Sequence, residues 1–149
     1  QLFKEQNILA TVDFEADVPT LFADRDRLIQ VMLNLLSNAA KFCDKQNGLV
    51  EVRLRREPGA LRVDVRDNGP GVSADNQQVV FEKFRQVGDT LTDKPQGTGL
   101  GLPICREIIN HFGGKLWVES RPGEGAIFSF TLPITLPQQP QLAVAVNRV

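Results

Sequence analysis

The 149-residue chain has the length of one domain, and a soluble domain of that size removes about 70% of its unfolded surface from water, so one core is expected. Hydrophobic residues at 42% and charged residues at 23% are ordinary globular values and exclude a disordered, collagen-like or disulfide-scaffold chain. Seventeen Lys+Arg against eighteen Asp+Glu leave a net charge of −1, so no global positive excess draws the chain to nucleic acid or anionic membrane, and any phosphate site must be local.

Ile8 to Glu15 alternates around Val12 and Phe14 and reads as a strand, ended by the turn at Asp17-Val-Pro19. A helix follows. Asp24 or Asp26 can cap it, and Leu28, Val31, Leu35, Ala39 and Phe42 recur at three and four before the polar run Asp44 to Gly48. Leu49 to Arg55 and Leu61 to Arg66 alternate at period two across Glu57-Pro-Gly59, which predicts an antiparallel hairpin ending in Asp67-Asn-Gly-Pro-Gly71. A short helix is expected from Asp75 to Phe84, then a polar segment without period, Val87 to Gln96, that reads as mobile. Gly97-Thr-Gly-Leu-Gly101 opens a helix with Pro103 in its first turn, Ile104, Ile108 and Phe112 as its buried stripe, and Gly113 or Gly114 as its stop.

Lys115 to Ser120 and Ala126 to Leu132 predict a second hairpin around Arg121-Pro-Gly-Glu-Gly125. Beyond Pro133 the Pro/Gln-rich stretch reads as a linker or frayed tail, giving one domain over 1–134 and a tail over 135–149. Helices and hairpins in this order argue for an α+β two-layer sandwich, a mixed and mostly antiparallel sheet with helices on one face. No apolar run reaches the roughly 20 residues that span a bilayer, and the opening Gln-Leu-Phe-Lys-Glu-Gln lacks signal-peptide order, so no direct membrane contact is expected. Cys43, Cys105 and the single histidine, His111, cannot form a CxxC pair, a zinc finger or an HExxH helix. Buried, reduced thiols point to the cytoplasm.

Asn34, Asn38 and Lys41 fall at i, i+4 and i+7 of the first long helix, so two amides and an ammonium share one face. Asparagine is a poor helix former, and two of them among leucines and alanines need a reason. Either both amides satisfy local backbone groups, or an amide oxygen serves as a hard neutral ligand for Mg²⁺ while Lys41 meets a phosphate. Asp67 at a strand end begins a glycine-rich turn; the turn is either tight and structural, or the acid accepts a hydrogen bond from an exocyclic amine such as that of adenine. The cluster Gly97 to Gly101 at a helix start offers free N–H groups to phosphate.

Other nucleotide motifs fail. The Gly-Lys pair at Gly114-Lys115 is followed by Leu116, which excludes a Walker A loop. Gly69-Pro-Gly71-Val-Ser-Ala74 matches G-x-G-x-x-A, yet the flanking hairpins are not the βαβ units of a dinucleotide fold.

Four segments in order resemble the catalytic ATP-binding domain of sensor histidine kinases, a branch of the Bergerat or GHKL ATPases. Asn34-Leu-Leu-Ser-Asn38-Ala-Ala-Lys41-Phe42 is similar to the asparagine box, and Asp67-Asn-Gly69-Pro-Gly71 to the first glycine box. Phe81-Glu-Lys-Phe84 is similar to the phenylalanine box, and Gly97-Thr-Gly99-Leu-Gly101 to the second glycine box. The closing stretch from Gly113 through Gly123-Glu-Gly125 to Pro133 resembles the family's final hairpin. Departures are small: Cys43 stands where the family often has Thr, and Pro103 where Ala is common.

The resemblance implies ATP and Mg²⁺ as cofactors. By it, Asn38 holds the metal, Asn34 assists at the phosphates, Lys41 contacts a phosphate and Asp67 binds the adenine amine, with Asn34 and Lys41 the catalytic pair. Gly69 and Gly71 admit the base, Phe84 joins the nucleotide-binding set, residues 85–96 form a lid, and Gly97, Thr98, Gly99, Leu100 and Gly101 close on the phosphates. Implied partners are a dimerisation and histidine-phosphoacceptor domain outside this chain and a response regulator receiver domain, with the isolated domain a monomer. His111, one turn before Gly113, reads as a cation at a helix end rather than an acceptor. Three rivals remain: a GHKL hydrolase, a GHKL serine kinase, and a non-catalytic nucleotide-binding module. The hydrolases of the family carry a glutamate at position 34 to activate water, a task the Asn34 amide cannot perform.

Overall fold

A computed structural model describes residues 1–83 and 101–134. In chain order the elements are α1 (Leu2–Glu5), β1 (Leu9–Phe14), α2 (Arg25–Phe42), β2 (Leu49–Glu57), β3 (Ala60–Asp67), α3 (Ala74–Val79), α4 (Gly101–His111), β4 (Leu116–Ser120) and β5 (Ala126–Pro133). The strands form one sheet in the order β1-β2-β3-β5-β4. Strand β1 pairs parallel with β2, so β1-α2-β2 is a crossover unit, while β2/β3, β3/β5 and β5/β4 are antiparallel. The sheet is therefore mixed, and both expected hairpins are present.

Period-two alternation gives the sheet an apolar face. Leu61 and Val65 of β3, Phe128 and Phe130 of β5, and Leu116 and Val118 of β4 meet Val31, Leu35 and Ala39 of α2 and Cys105 and Ile109 of α4 in one core. Full burial of a residue such as Leu35 contributes about 1.5–3 kcal/mol. The opposite face is polar. There the Arg62 guanidinium pairs with Asp64 at 2.7 Å and stacks on Trp117, and Ser129 donates to Asp64 at 2.6 Å. Among the described residues no helix is long and apolar enough to cross a membrane.

Of the two candidate caps, Asp24 starts α2, its carboxylate accepting from the N–H groups of Asp26 and Arg27. The expected stripes shift. Phe42 is 43% exposed, and Ala40 joins Val31, Leu35 and Ala39 as the buried set of α2. On α4 the buried residues are Pro103, Cys105 and Ile109, not Ile104. Ile108 and Phe112 sit at the core margin, because α4 packs on α2 and on β4 and β5 at once and the deepest row faces the junction.

The helix expected to run from Asp75 to Phe84 ends at Val79, and Val80 and Phe81 turn into the core, where Phe81 meets Phe128 edge-on at 6.2 Å. Strand β1 alternates as expected but stays exposed on both faces, since it is an edge strand and the long helices α2 and α4 pack on the other strands. The proposed mobile segment and the tail lie outside the described residues.

Candidate functional site

Asn34, Asn38 and Lys41 share one face of α2, all half-buried, as their spacing requires. Two contacts locate that face. At its N-terminal end a Cβ built on Gly101 would stand 3.1 Å from Asn34 Oδ1, so the start of α4 lies against Asn34. At its C-terminal end a Cβ on Gly69 would fall 2.0 Å from the carbonyl oxygen of Phe42, so only glycine lets the turn after β3 close on α2. Eight residues of helix separate these points by roughly 12 Å, with Asn38 midway. That distance suits an extended nucleoside triphosphate.

Asp67 ends β3 and is 5% exposed. Its Oδ1 accepts from the Gly69 N–H at 2.8 Å, and the Ala126 N–H also favours the charged carboxylate. Burial pushes this carboxyl above the ordinary aspartate value, and the two N–H groups offset only part of the effect. A carboxylate has about four lone-pair sites, so two donors leave capacity for a ligand.

Because the folded value is raised, this group's contribution to stability is fully present below its unfolded pKa and is lost as pH rises through the folded one. Asp67→Asn, which keeps an acceptor for the Gly69 N–H, is therefore expected to gain thermal stability relative to the parent as pH rises from about 4 to about 7. Unfolding curves across that range check it; a constant difference would refute the burial argument.

Residues that the sequence reading passed over brace the turn. Asn68 Oδ1 accepts from the N–H groups of Asp44 and Leu49, and its amide donates to Asn47. Ser120 Oγ accepts from Val72 N–H and donates to Gly125, while Gln77 donates to the carbonyls of Val72 and Ser120. The polar residue after Asp67 was the available signal for Asn68; nothing local marked Ser120 or Gln77. Gly71 takes φ +79°, and a Cβ there would lie 2.5 Å from the Arg121 carbonyl, so backbone from the β4–β5 turn crowds this second glycine of the loop.

Other groups fall as follows. Lys41 lies with its Nζ 5.0 Å from the Phe42 ring centre. The Cys43 and Cys105 thiols are buried and free; burial raises both, Cys105 to about 11, which leaves them inert at neutral pH. His111 is exposed at the end of α4. A cleft of about 710 Å³ at the β4–β5 turn is lined by Arg66, Arg121, Glu119 and Glu124 and lies apart from the α2 stripe; a second, about 460 Å³, reaches Lys41 and Cys43. Phe84, Gly97, Thr98, Gly99 and Leu100 lie outside the described residues.

Comparisons with known proteins bear on the family and the fold. The family described as histidine kinase-, DNA gyrase B-, and HSP90-like ATPase matches residues 23–136. The adaptive-response sensory kinase SasA of Synechocystis sp. is 41% identical over 133 residues, which cover 89% of this chain and 34% of SasA, so the chain spans about a third of that relative. The catalytic domain of histidine kinase ThkA is 32% identical with a TM-score of 0.76, covering 90% of this chain and 85% of that one. In complex with the response regulator protein TrrA, ThkA aligns at 29% identity and a TM-score of 0.71 over 92% of this chain and 37% of its own. Full-length ShkA in complex with AMPPNP aligns at 33% identity with a TM-score of 0.78, covering 90% of this chain and 27% of ShkA. The chain belongs to the histidine kinase-, DNA gyrase B- and HSP90-like ATPase family and has the fold of a histidine kinase catalytic domain.

Proposed function

We propose that this domain binds Mg-ATP and donates the γ-phosphoryl group to a histidine on a separate dimerisation and phosphoacceptor domain, from which it passes to a response regulator. The carrying observation is the α2 face itself: two amides and an ammonium in line, with a buried carboxylate at the far end and an amide at the position nearest α4. An amide takes no proton from water at neutral pH, which favours transfer to an external nucleophile over hydrolysis. In the transfer the histidine nitrogen forms a bond to the γ-phosphorus as the bond to the bridging oxygen breaks, and ADP leaves.

Asp67 accepts from the adenine amine. Lys41 and Asn34 face the phosphates, with Phe84 and the backbone of Gly97, Thr98, Gly99, Leu100 and Gly101 completing the nucleotide site beside Gly69 and Gly71. Asn38 fits Mg²⁺: among the described residues its amide has no hydrogen-bond partner, and no three His, Cys, Asp or Glu gather to hold a metal instead. The bound ion supplies charge neutralisation at the phosphates. The ThkA–TrrA complex supports the response regulator as partner, and free, buried thiols agree with a cytoplasmic setting.

The test mixes the chain with Mg-ATP and a matching histidine-bearing helical hairpin. Acid-labile, base-stable phosphate should appear on the hairpin, slowly because the effective concentration of a covalent linkage is absent. His111→Gln should not change it. Rapid ATP hydrolysis without the hairpin, or phosphate on His111, would overturn the reading.

A further inference from the structure

The turn that carries Asp67, Gly69 and Gly71 is fastened at its exit, Val72, by two side chains from other elements. Ser120, at the end of β4, accepts the Val72 N–H on Oγ at 2.7 Å and donates its own hydrogen to the Gly125 carbonyl at 2.6 Å. Gly125 lies against the entry of the same turn: a Cβ built on it would fall 2.0 Å from the Asp67 carbonyl oxygen. One hydroxyl therefore ties both ends of the turn to the β4–β5 backbone. Gln77 of α3 closes the junction from the other element, its Nε2 donating to the Val72 carbonyl at 2.8 Å and to the Ser120 carbonyl at 2.9 Å. Both partners only accept, so the amide can meet them with its NH₂ end alone. The Gly123 N–H adds a bond to the Pro70 carbonyl at 2.7 Å.

We propose that Gln77 and Ser120 are positioning residues for the nucleotide base: they hold the turn from Asp67 to Val72 in the conformation that presents the Asp67 carboxylate and the two glycines to adenine. The inference rests on Asp67 meeting the base, and adds the side chains that keep this contact ready before nucleotide arrives. Glycines give a free turn wide backbone latitude. A turn that holds its binding conformation only part of the time lowers apparent affinity by that fraction, and one modest hydrogen bond shifts such a balance about fivefold. Among the described residues neither side chain hydrogen-bonds to α2, which carries Asn34, Asn38 and Lys41. The loss therefore falls on the base and spares the phosphates.

The variants are Gln77→Met, which keeps the length and removes the donor, Gln77→Glu, which keeps the shape and sets an acceptor against two carbonyls, and Ser120→Ala. Calorimetry compares Mg-ATP, Mg-ADP, Mg-GTP and Mg-tripolyphosphate, a probe with no base. Each variant should weaken ATP and ADP alike by roughly 5- to 10-fold, lower the preference for ATP over GTP, and bind tripolyphosphate as the parent does. In transfer to the histidine-bearing hairpin the KM for ATP should rise by the same factor with kcat nearly unchanged, since the turn is ordered once nucleotide is bound. In an Asp67→Ala background Gln77→Met should add little, because both act on one contact.

Ser120→Ala leaves the Val72 N–H without its partner, so unfolding curves accompany every variant and the two Gln77 changes decide the matter if that one does not fold. Parent-like ATP affinity in both Gln77 variants, or an equal loss for ATP and tripolyphosphate, would overturn the positioning role while leaving the kinase reading intact. An Asp67→Ala domain that kept its full preference for ATP over GTP would place the base elsewhere and remove the proposal with it.

Discussion

Asn38→Ala should lose Mg²⁺-dependent ATP binding, by on the order of 100-fold or more, while the domain keeps its fold. Asn38 sits midway along the polar face of α2, and among the described residues its amide makes no hydrogen bond that the substitution would break. Its helix is held by the buried Val31, Leu35, Ala39 and Ala40, none of which the substitution alters. Alanine is also the better helix former, so stability should hold or rise by a few tenths of a kcal/mol. Calorimetry with and without Mg²⁺ separates the effects. The Mg²⁺-dependent part should vanish, and the metal-free part should match the parent. Equal Mg-ATP affinity in both proteins would remove Asn38 from the metal site.

Asp67→Ala should weaken ATP and ADP equally, since a contact to the base does not sense the γ-phosphate. One charge-assisted hydrogen bond is worth about 1.5–3 kcal/mol, roughly a 10- to 150-fold loss. Preference for ATP over GTP should fall with it. The carboxylate also receives the Gly69 N–H, so alanine leaves a buried donor unpaired and Asp67→Asn is the companion variant. The asparagine retains the local bond yet presents an oxygen without charge, and its affinity should lie between parent and alanine. An Asp67→Ala domain that still chose ATP over GTP as strongly as the parent would put the base elsewhere.

Where the sequence reading succeeded, local chemistry and burial pointed the same way. Asp24 caps α2 because its side chain reaches two N–H groups only a few residues on, an arrangement written entirely in neighbouring positions. The hairpins followed from alternation across Pro-Gly turns. Where it slipped, the deciding contact was remote. Phe42 fits the helical period but lies exposed at the last turn of α2, where Lys41 stacks on it, and the row that α4 buries was set by two neighbours at once. The Asp75 helix stops early because the core draws in Phe81 to meet Phe128.

The sequence alone determined the spacing that lines up Asn34, Asn38 and Lys41, since 3.6 residues per turn leave no other arrangement on a helix. It also determined the acid at the end of β3 and the glycines that follow. Only the tertiary structure decided which surfaces those residues meet. Gly69 faces the Phe42 carbonyl and Gly71 the β4–β5 turn, so both are required by backbone packed from distant segments. The altered titration of Asp67 likewise comes from burial, with N–H donors from its own turn and from β5. Periodicity reports which side of an element is apolar; what lies opposite depends on strands and helices far apart in the chain, and no local pattern encodes it.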